Sequence, residues 1–474
     1  MVSRSNHNQT KDWHADGDSN FSPARAVWRA TRTDPDESRI LAEDEEFFLK
    51  QSLSTPCLSA VRRVEGIWVE DVTGNRYMDF HGNNVHHIGH AHPRLIEALK
   101  CQLDELPFSP RRFTNETAIA LAHKLANIAP GDLDKVLFAP GGSQAIEMAL
   151  KLARAKTGRY KTLSFWDSFH GAGFGAAGVG GEDTFRSGVI GPLMPGAEHV
   201  APFSCFRCPY GYPSRDGAPD LNNCNMMCAN FIDYVLEKEG DVAALVAEPI
   251  RSIPYVPPPG YWKQIRKACD RHGTLLIFDE IPNGLGKTGR MFACEHDDVV
   301  PDILVLGKAL GGGVVPIAAM ITSSRLDIVG DVAIGHYTHE KNPFMCQAAL
   351  TTLDIIESEG LVENAEKVGK YALERLHDLK QRHPIVGDVR GVGLVLGIDL
   401  VVDRETKEPA TEFADRVLYG CLSRGLNFKT TMGSVITLTP PLTVTAEEID
   451  RAVGILDEVI TMVGRDGERI PADD

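Results

Sequence analysis

No apolar run in the 474 residues approaches the ~18 needed to cross a bilayer. The opening stretch, Met1–Ser22, is polar and carries no apolar signal-peptide core. Positive charge is also in short supply. The 49 Lys and Arg face 65 Asp and Glu, a formal net charge of -16. Long-range electrostatics therefore oppose binding to nucleic acid or to an anionic membrane, and an anionic substrate has to be captured by local cations. The ten cysteines are too few for a disulfide scaffold in a chain of this length, so reduced thiols and a cytoplasmic setting are expected. Repeats and low-complexity tracts are lacking. What is present is a 43% hydrophobic content, enough for a sizeable core. The length suits roughly two to four domain-sized units.

Residues 1–38 are polar and read as a disordered tail. Ile67–Val72 and Arg76–Phe80, separated by Thr73-Gly74-Asn75, read as a β-hairpin. From about Pro93 short apolar runs alternate with amphipathic helices. Val136–Ala139 is a strand candidate, and Ile146, Ala149, Leu150 and Ala153 then fall on one helical face. Ala243–Ala247 and Leu275–Phe278 are further strands, with a helix near Tyr261–His272 between them. Such β/α alternation indicates an α/β fold with a mostly parallel sheet covered by helices. After Pro343 the pattern is helical to Arg382. Arg390–Leu400, Val435–Leu438 and a helix over Ala446–Val463 then suggest a smaller α+β unit. The expected division is 39–92 with 344–474 as a small domain, and 93–343 as a large one.

Two charged residues stand at the ends of apolar strands. Leu275–Phe278 leads into Asp279-Glu280, and Ile303–Leu306 leads into Gly307-Lys308. A buried Asp or Lys is costly without a charged partner. Pyridoxal phosphate requires this pair: a lysine to bond its aldehyde and a carboxylate to keep its ring nitrogen protonated. Gly141-Gly142-Ser143, between a strand and a helix, offers backbone N–H groups and a helix dipole to a phosphate. Phe169, in Ser168-Phe169-His170-Gly171, can stack on a planar cofactor.

Over nearly its whole length the chain resembles class III pyridoxal phosphate-dependent aminotransferases of fold type I. The resemblance is carried by Gly89-His90-Ala91-His92-Pro93, Phe169-His170-Gly171, Glu248-Pro249, Asp279-Glu280 and Gly284-Leu285-Gly286-Lys287-Thr288-Gly289-Arg290. It continues through Gly307-Lys308-Ala309-Leu310-Gly311-Gly312-Gly313, Asn342-Pro343, Gly387-Asp388-Val389-Arg390-Gly391 and Pro440-Pro441-Leu442. It implies that Lys308 carries the cofactor and shuttles the proton, while Asp279 pairs with the ring nitrogen. Gly142 and Ser143 would hold the phosphate, with Phe169 and His170 beside the ring. Thr338 matches a threonine that reaches the phosphate from a neighbouring subunit, which implies a homodimer with shared active sites.

The chain also departs from that family. Pro282 stands where a glutamine usually bonds the cofactor's phenolic oxygen, and Gln144 replaces a glutamate. Thr437 occupies a position where many members carry an arginine for a substrate carboxylate, which argues against a 2-oxoglutarate half-reaction. Arg251, Arg111, Arg112 and Lys341 supply cations elsewhere, and Asn83, Asn84 and His86 make the stretch before Gly89 polar. These features are most similar to the family's lyase branch that acts on hydroxylated aminoethylphosphonates. The resemblance implies elimination to phosphonoacetaldehyde and ammonia from a small anionic amine, with Arg251, Arg111, Arg112, Asn84 and Lys341 on the substrate. The alternative is an ω-aminotransferase using pyruvate or another 2-oxo acid.

Cys205-x-x-Cys208 and Cys224-x-x-x-Cys228, in an insertion over residues 205–229, have paired spacing that suits structural zinc. The same spacing occurs in class III enzymes without a metal, and no catalytic metal is expected.

Overall fold

The computed structural model describes residues 22–51, 57–186, 188–215 and 217–467. Its centre is a seven-stranded sheet. From edge to edge the strands are Leu133–Ala139, Ala318–Ser323, Ile303–Leu306, Leu275–Asp279, Val242–Ala247, Lys161–Phe165 and Ala197–Val200. Ala318–Ser323 runs antiparallel to both its neighbours, and the other pairings are parallel. Val242–Ala247 and Ile303–Leu306 are buried throughout. Both faces of such a sheet are covered, which is why these strands read as unbroken apolar runs rather than alternating ones.

The helix Gly142–Thr157 buries Ile146, Ala149, Leu150 and Ala153 as the periodicity predicts. It ends on Gly158, whose φ of 66° is the left-handed cap that glycine adopts without strain. Parallel strands need crossovers. These carry every strand end that holds a candidate site residue to one edge of the sheet, the edge where α/β sheets bind ligands.

A second sheet contains Val61–Glu65, Trp68–Asp71 and Arg76–Asp79, including the expected hairpin. Its last strand is Leu426–Asn427, paired parallel to Met78 and Asp79. Residues more than 340 apart in sequence thus share one sheet. A third sheet runs Val386–Val392, Val395–Leu400, Val435–Leu438 and Lys429–Thr431, all antiparallel. The single stretch expected over Arg390–Leu400 is two strands, because Gly393 turns the chain with φ 54°. The helical region after Pro343 is Pro343–Ser358 and Leu361–Arg382, broken at Gly360 with φ 61°.

The disordered tail expected over 1–38 is corrected within the described residues; positions 1–21 lie outside them. Pro23–Ala30 and Pro35–Phe47 are helices, each with proline in its first turn and a side-chain cap, Ser22 and Asp34 respectively. Composition missed them because their anchor is tertiary. Trp28 is buried. Arg32 donates from Nε and Nη2 to Glu37 (3.0 and 2.8 Å), from Nη2 to Asp71 (2.5 Å) and from Nη1 to the Tyr77 hydroxyl (3.0 Å). Burial would raise the Asp71 carboxyl. Hydrogen bonds from Arg32, Thr73, Asn75 and Tyr77 outweigh it and hold Asp71 well below the usual carboxylate range.

Arg32→Met should leave Glu37 and Asp71 as buried, uncompensated charges and cost about 3–5 kcal/mol locally. The measurement is hydrogen exchange across residues 23–47, where protection should fall. Unchanged exchange would show that Arg32 is not the anchor. The depressed Asp71 value also sets the pH dependence: its stabilisation is complete above about pH 4 and is lost as the pH falls through the folded value.

Candidate active site

Five strand ends deliver the candidate residues to the carboxyl edge of the central sheet. Asp279 ends its strand and is buried, 3% exposed. Its Oδ2 lies 2.8 Å from His170 Nδ1, and its Oδ1 accepts the Ile281 N–H at 3.0 Å. His170 Nε2 is 3.4 Å from Ser164 Oγ, which orients the ring. The remaining side of Asp279 suits a protonated ring nitrogen, because a buried carboxylate is stable only beside positive charge.

Gly142 and Ser143 open the Gly142–Thr157 helix and present its first N–H groups. Ser143 Oγ accepts the Ala172 N–H at 3.1 Å. A Cβ on Gly171 would come within 2.3 Å of Ser143 Oγ, so the Gly142–Ser143 turn and the Phe169–Gly171 loop are in direct contact. Phe169 itself packs against Phe185, ring centroids 4.5 Å apart.

Lys308 stands two residues past its strand, at the start of a short helical turn, with φ 44°. Positive φ in a non-glycine residue marks backbone held by its surroundings. Ile281 provides the hold. A Cβ on Gly142 would meet Ile281 Cδ1 at 2.7 Å, and one on Gly307 would meet Ile281 Cγ2 at 3.2 Å. Ile281 thus wedges between the phosphate turn and the lysine turn and sets their spacing. Nothing in the sequence singles it out.

The opposite wall is the stretch from Phe80 to His90. Gly82–Asn84 packs against the Lys308–Gly311 turn. Asn83 and Asn84 both have positive φ, and Asn84 is 2% exposed with its Oδ1 making no hydrogen bond among the described residues. One carboxylate clamps both ends of this stretch. Asp79 accepts the His81 and Gly82 N–H groups and Asn427 Nδ2 on Oδ1, and meets His90 Nε2 at 2.9 Å on Oδ2. Asp79, His86 and His90 have ligand atoms within 4.8 Å of one another, but the contacts are used internally: His86 Nε2 lies 3.0 Å from the Asp79 carbonyl oxygen. Burial lowers His86 to about 4, and Lys287 behind it to about 7. His86 is therefore uncharged at neutral pH. The Asp79 clamp is legible only from the fold, since Asn427 comes from the far end of the chain.

The expected cations separate into two groups. Arg251 is buried (2% exposed), stacks on Tyr255 with 5.3 Å from guanidinium carbon to ring centroid, and donates from Nη2 to the Asp167 carbonyl. Its Nε and Nη1 make no hydrogen bond among the described residues. Next to it is Glu248, a residue without an assigned role in the sequence reading. Burial raises the Glu248 carboxyl, Arg251 opposes that, and Asp279 adds to it. Arg111, Arg112, Lys341 and Thr338, by contrast, are exposed. They lie on two segments, 109–117 and 336–342, that touch each other. Arg111 lies against His336 with nitrogens 2.5 and 2.6 Å apart, and Asn115 donates to the Lys341 carbonyl at 3.0 Å.

The four insertion cysteines line one small apolar cavity with Tyr210 and Met226, as free thiols. Burial, reinforced by the other cysteines, pushes Cys205 up to about 12. Their sulfurs are not among the described groups with ligand atoms already within 4.8 Å of one another, so the zinc alternative has no preformed cage.

The sequence model for aminotransferase class-III proteins matches residues 50–460. The (R)-1-hydroxy-2-aminoethylphosphonate ammonia-lyase of Vibrio splendidus (strain 12B01) is 46% identical over 466 residues, covering 96% of this chain and 97% of that one. A leucine/methionine racemase of Thermococcus litoralis is 36% identical, covering 91% and 98%. Among solved structures, a PLP-bound amine transaminase from an uncultivated Pseudomonas species superposes with a TM-score of 0.80. It is 33% identical, with 85% of this chain and 95% of that one covered. Buried Asp279, the Gly142–Ser143 turn and Lys308 suit the cofactor of such proteins, pyridoxal phosphate. The chain belongs to the class III aminotransferase family.

Proposed function

We propose that this chain is a pyridoxal phosphate-dependent ammonia-lyase that converts (R)-1-hydroxy-2-aminoethylphosphonate to phosphonoacetaldehyde and ammonia. The observation that carries the reading is the 46% identity, over nearly the full length of both chains, to a lyase of that name. The uncharged Thr437, buried in its strand, supports it from within this chain.

Bound pyridoxal phosphate supplies the electron sink for charge on the carbon beside the amine. Lys308 holds the cofactor and takes the proton from that carbon. Asp279, oriented by His170, keeps the ring nitrogen protonated. Gly142 and Ser143 bind the phosphate, and Phe169 covers the ring. Asn84, whose buried Oδ1 makes no hydrogen bond among the described residues, is suited to the substrate hydroxyl. The hydroxyl leaves the neighbouring carbon as water, taking the proton that Lys308 removed, and the enamine released is hydrolysed to the aldehyde and ammonia. Arg251, Arg111, Arg112 and Lys341 are the cations of this reading for the substrate's anionic end. Exposed Thr338 belongs at the partner's phosphate in a homodimer, and the setting is cytoplasmic. Among the described residues no helix is long and apolar enough to cross a membrane.

The relatedness to amine transaminases favours a second reading, amino transfer to pyruvate or another 2-oxo acid. Incubation of the holoenzyme with the hydroxylated substrate decides between them. Ammonia and phosphonoacetaldehyde should accumulate without any keto acid. The unhydroxylated analogue, which has no leaving group, should only exchange a proton. Strict dependence on pyruvate, with stoichiometric alanine, would establish the transaminase instead.

Two variants test the roles. Lys308→Ala should abolish turnover and the visible absorbance of the covalently held cofactor. Retention of that absorbance in the variant, bleached by borohydride with the cofactor then fixed to the chain, would point to a different lysine. Asp279→Asn should keep the cofactor and lose about 100-fold or more in turnover, as when one preorganised electrostatic group is removed; near-normal rates would remove Asp279 from the mechanism.

A further inference from the structure

Arg251 and Tyr255 face one another across a short turn. Their backbones pair as an isolated antiparallel bridge, and the Arg251 N–H donates to the Tyr255 carbonyl at 3.0 Å. Directly opposed residues project to the same side. The phenol ring therefore meets the guanidinium, 5.3 Å from its carbon to the ring centroid. The turn between them is no surface loop, since Ser252, Ile253 and Pro254 are all buried.

Two segments of the candidate active site enclose the Arg251 end. The Ile250 carbonyl accepts Asn283 Nδ2 at 2.8 Å, and Asn283 lies in the loop that follows Asp279. Asp167, just before the Phe169 loop, takes Arg251 Nη2 on its carbonyl. Glu248 feels the charges of Arg251, Asp279 and His170 together, while its Oε2 accepts the Ser252 N–H at 2.8 Å.

The Tyr255 end is held from the third sheet. Arg390, on the strand Val386–Val392, lies over the same ring with its guanidinium carbon 5.2 Å from the centroid. It donates from Nε to the Pro254 carbonyl at 2.8 Å, and its Nη1 is fixed by Asp388 at 2.7 Å and Asp399 at 3.1 Å. The stretch containing Arg390 carries part of the family resemblance, yet no site role falls to it from the sequence.

The two arginines differ in what they can do. Arg390 is engaged with two carboxylates. Arg251 is 2% exposed, and its Nε and Nη1 make no hydrogen bond among the described residues. A buried donor without an acceptor carries its full desolvation penalty, so these nitrogens suit an anion arriving from outside the chain. Arginine binds phosphate-type oxyanions and carboxylates alike through charge-assisted hydrogen bonds. Its stem is flexible, and one carbonyl on Nη2 does not fix the plane of the guanidinium. Stacking on an aromatic face restrains that plane.

We infer that Tyr255 is a positioning residue for the substrate's anionic end: its ring holds the Arg251 guanidinium with Nε and Nη1 open, and Arg390 braces the ring from the third sheet. This rests on the reading of an aminophosphonate substrate. It also separates the expected cations. Arg251 is built into the protomer beside Asp279, whereas Arg111, Arg112 and Lys341 are exposed.

The test is a binding titration of the holoenzyme, read from the cofactor absorbance. The ligands are 2-aminoethylphosphonate, which cannot eliminate, and n-propylamine, an amine of similar size without the anionic group. The wild type should prefer the phosphonate. Arg251→Met should weaken phosphonate binding about 30-fold or more, the scale of losing a buried charge on an anion. Tyr255→Leu should weaken it about tenfold, the scale of a desolvated cation–π contact. Propylamine binding should be unchanged in both. Tyr255→Phe, which keeps the ring, should bind as the wild type does. In the Arg251→Met background Tyr255→Leu should cause no further loss, because the ring acts through the arginine. If Tyr255→Leu fails to retain cofactor, Tyr255→Met takes its place with the same expectations. Full phosphonate preference in the folded Tyr255 variant, equal loss of both ligands, loss in Tyr255→Phe, or an additive loss in the double variant overturns the role of Tyr255. Absence of the preference in the wild type overturns the phosphonate reading itself, so the two failures are distinguishable.

Discussion

A carboxylate removed from water is unstable unless something positive stays beside it, and Asp279 is such a carboxylate at the centre of this molecule. It ends a strand flanked on both sides by parallel neighbours, with only 3% of its surface exposed. His170 meets one oxygen and the Ile281 backbone the other. The strand ends bring the Gly142–Ser143 turn, the Phe169 loop and Lys308 to the same edge. Ile281, next but one in sequence, then spaces the phosphate turn from the lysine turn. The residue that sets the charge and the residue that sets the spacing are thus parts of one strand end.

A second carboxylate organises the facing wall, from Phe80 to His90. Asp79 closes the loop from His81 to His90 at both ends and ties it to Asn427 from the C-terminal part of the chain. The backbone between is pushed into left-handed conformations at Gly82, Asn83 and Asn84. Gly82 cannot be anything larger, because a Cβ there would fall 2.1 Å from the His86 ring. The Asp279 strand end and the Phe80–His90 wall therefore meet at the Lys308 turn while being held by different carboxylates. A family can keep the first and vary the second, which accords with lyases, racemases and transaminases all being related to this chain.

The N-terminal helices illustrate where composition misleads. A polar segment reads as disordered when its apolar content cannot outweigh chain entropy. Here one tryptophan and one arginine do the anchoring, and the arginine's partners, Asp71 and Tyr77, come from a hairpin some forty residues away. The exposed Arg111 and Arg112 show the converse. Their positions in the family pattern point to the anionic end of a substrate, yet both side chains are exposed, on a loop that meets the distant 336–342 loop only through folding.

Local sequence determined much of this protein. The periodicity of Gly142–Thr157, the apolar runs ending at Asp279 and before Lys308, and the glycines at turns are properties of short segments. Short-range physics decides them, so the strands, the helix and the placement of Asp279 and Lys308 at the ends of neighbouring strands were legible without coordinates. Tertiary structure decided what depends on register and on distant partners: the Asp79–Asn427 clamp, the Ile281 wedge, the docking of residues 23–47, and the contact of Arg390 with the Tyr255 ring. Each joins residues whose proximity is created by sheet pairing or packing, and a shift of one residue in register would turn the same side chains to the other face.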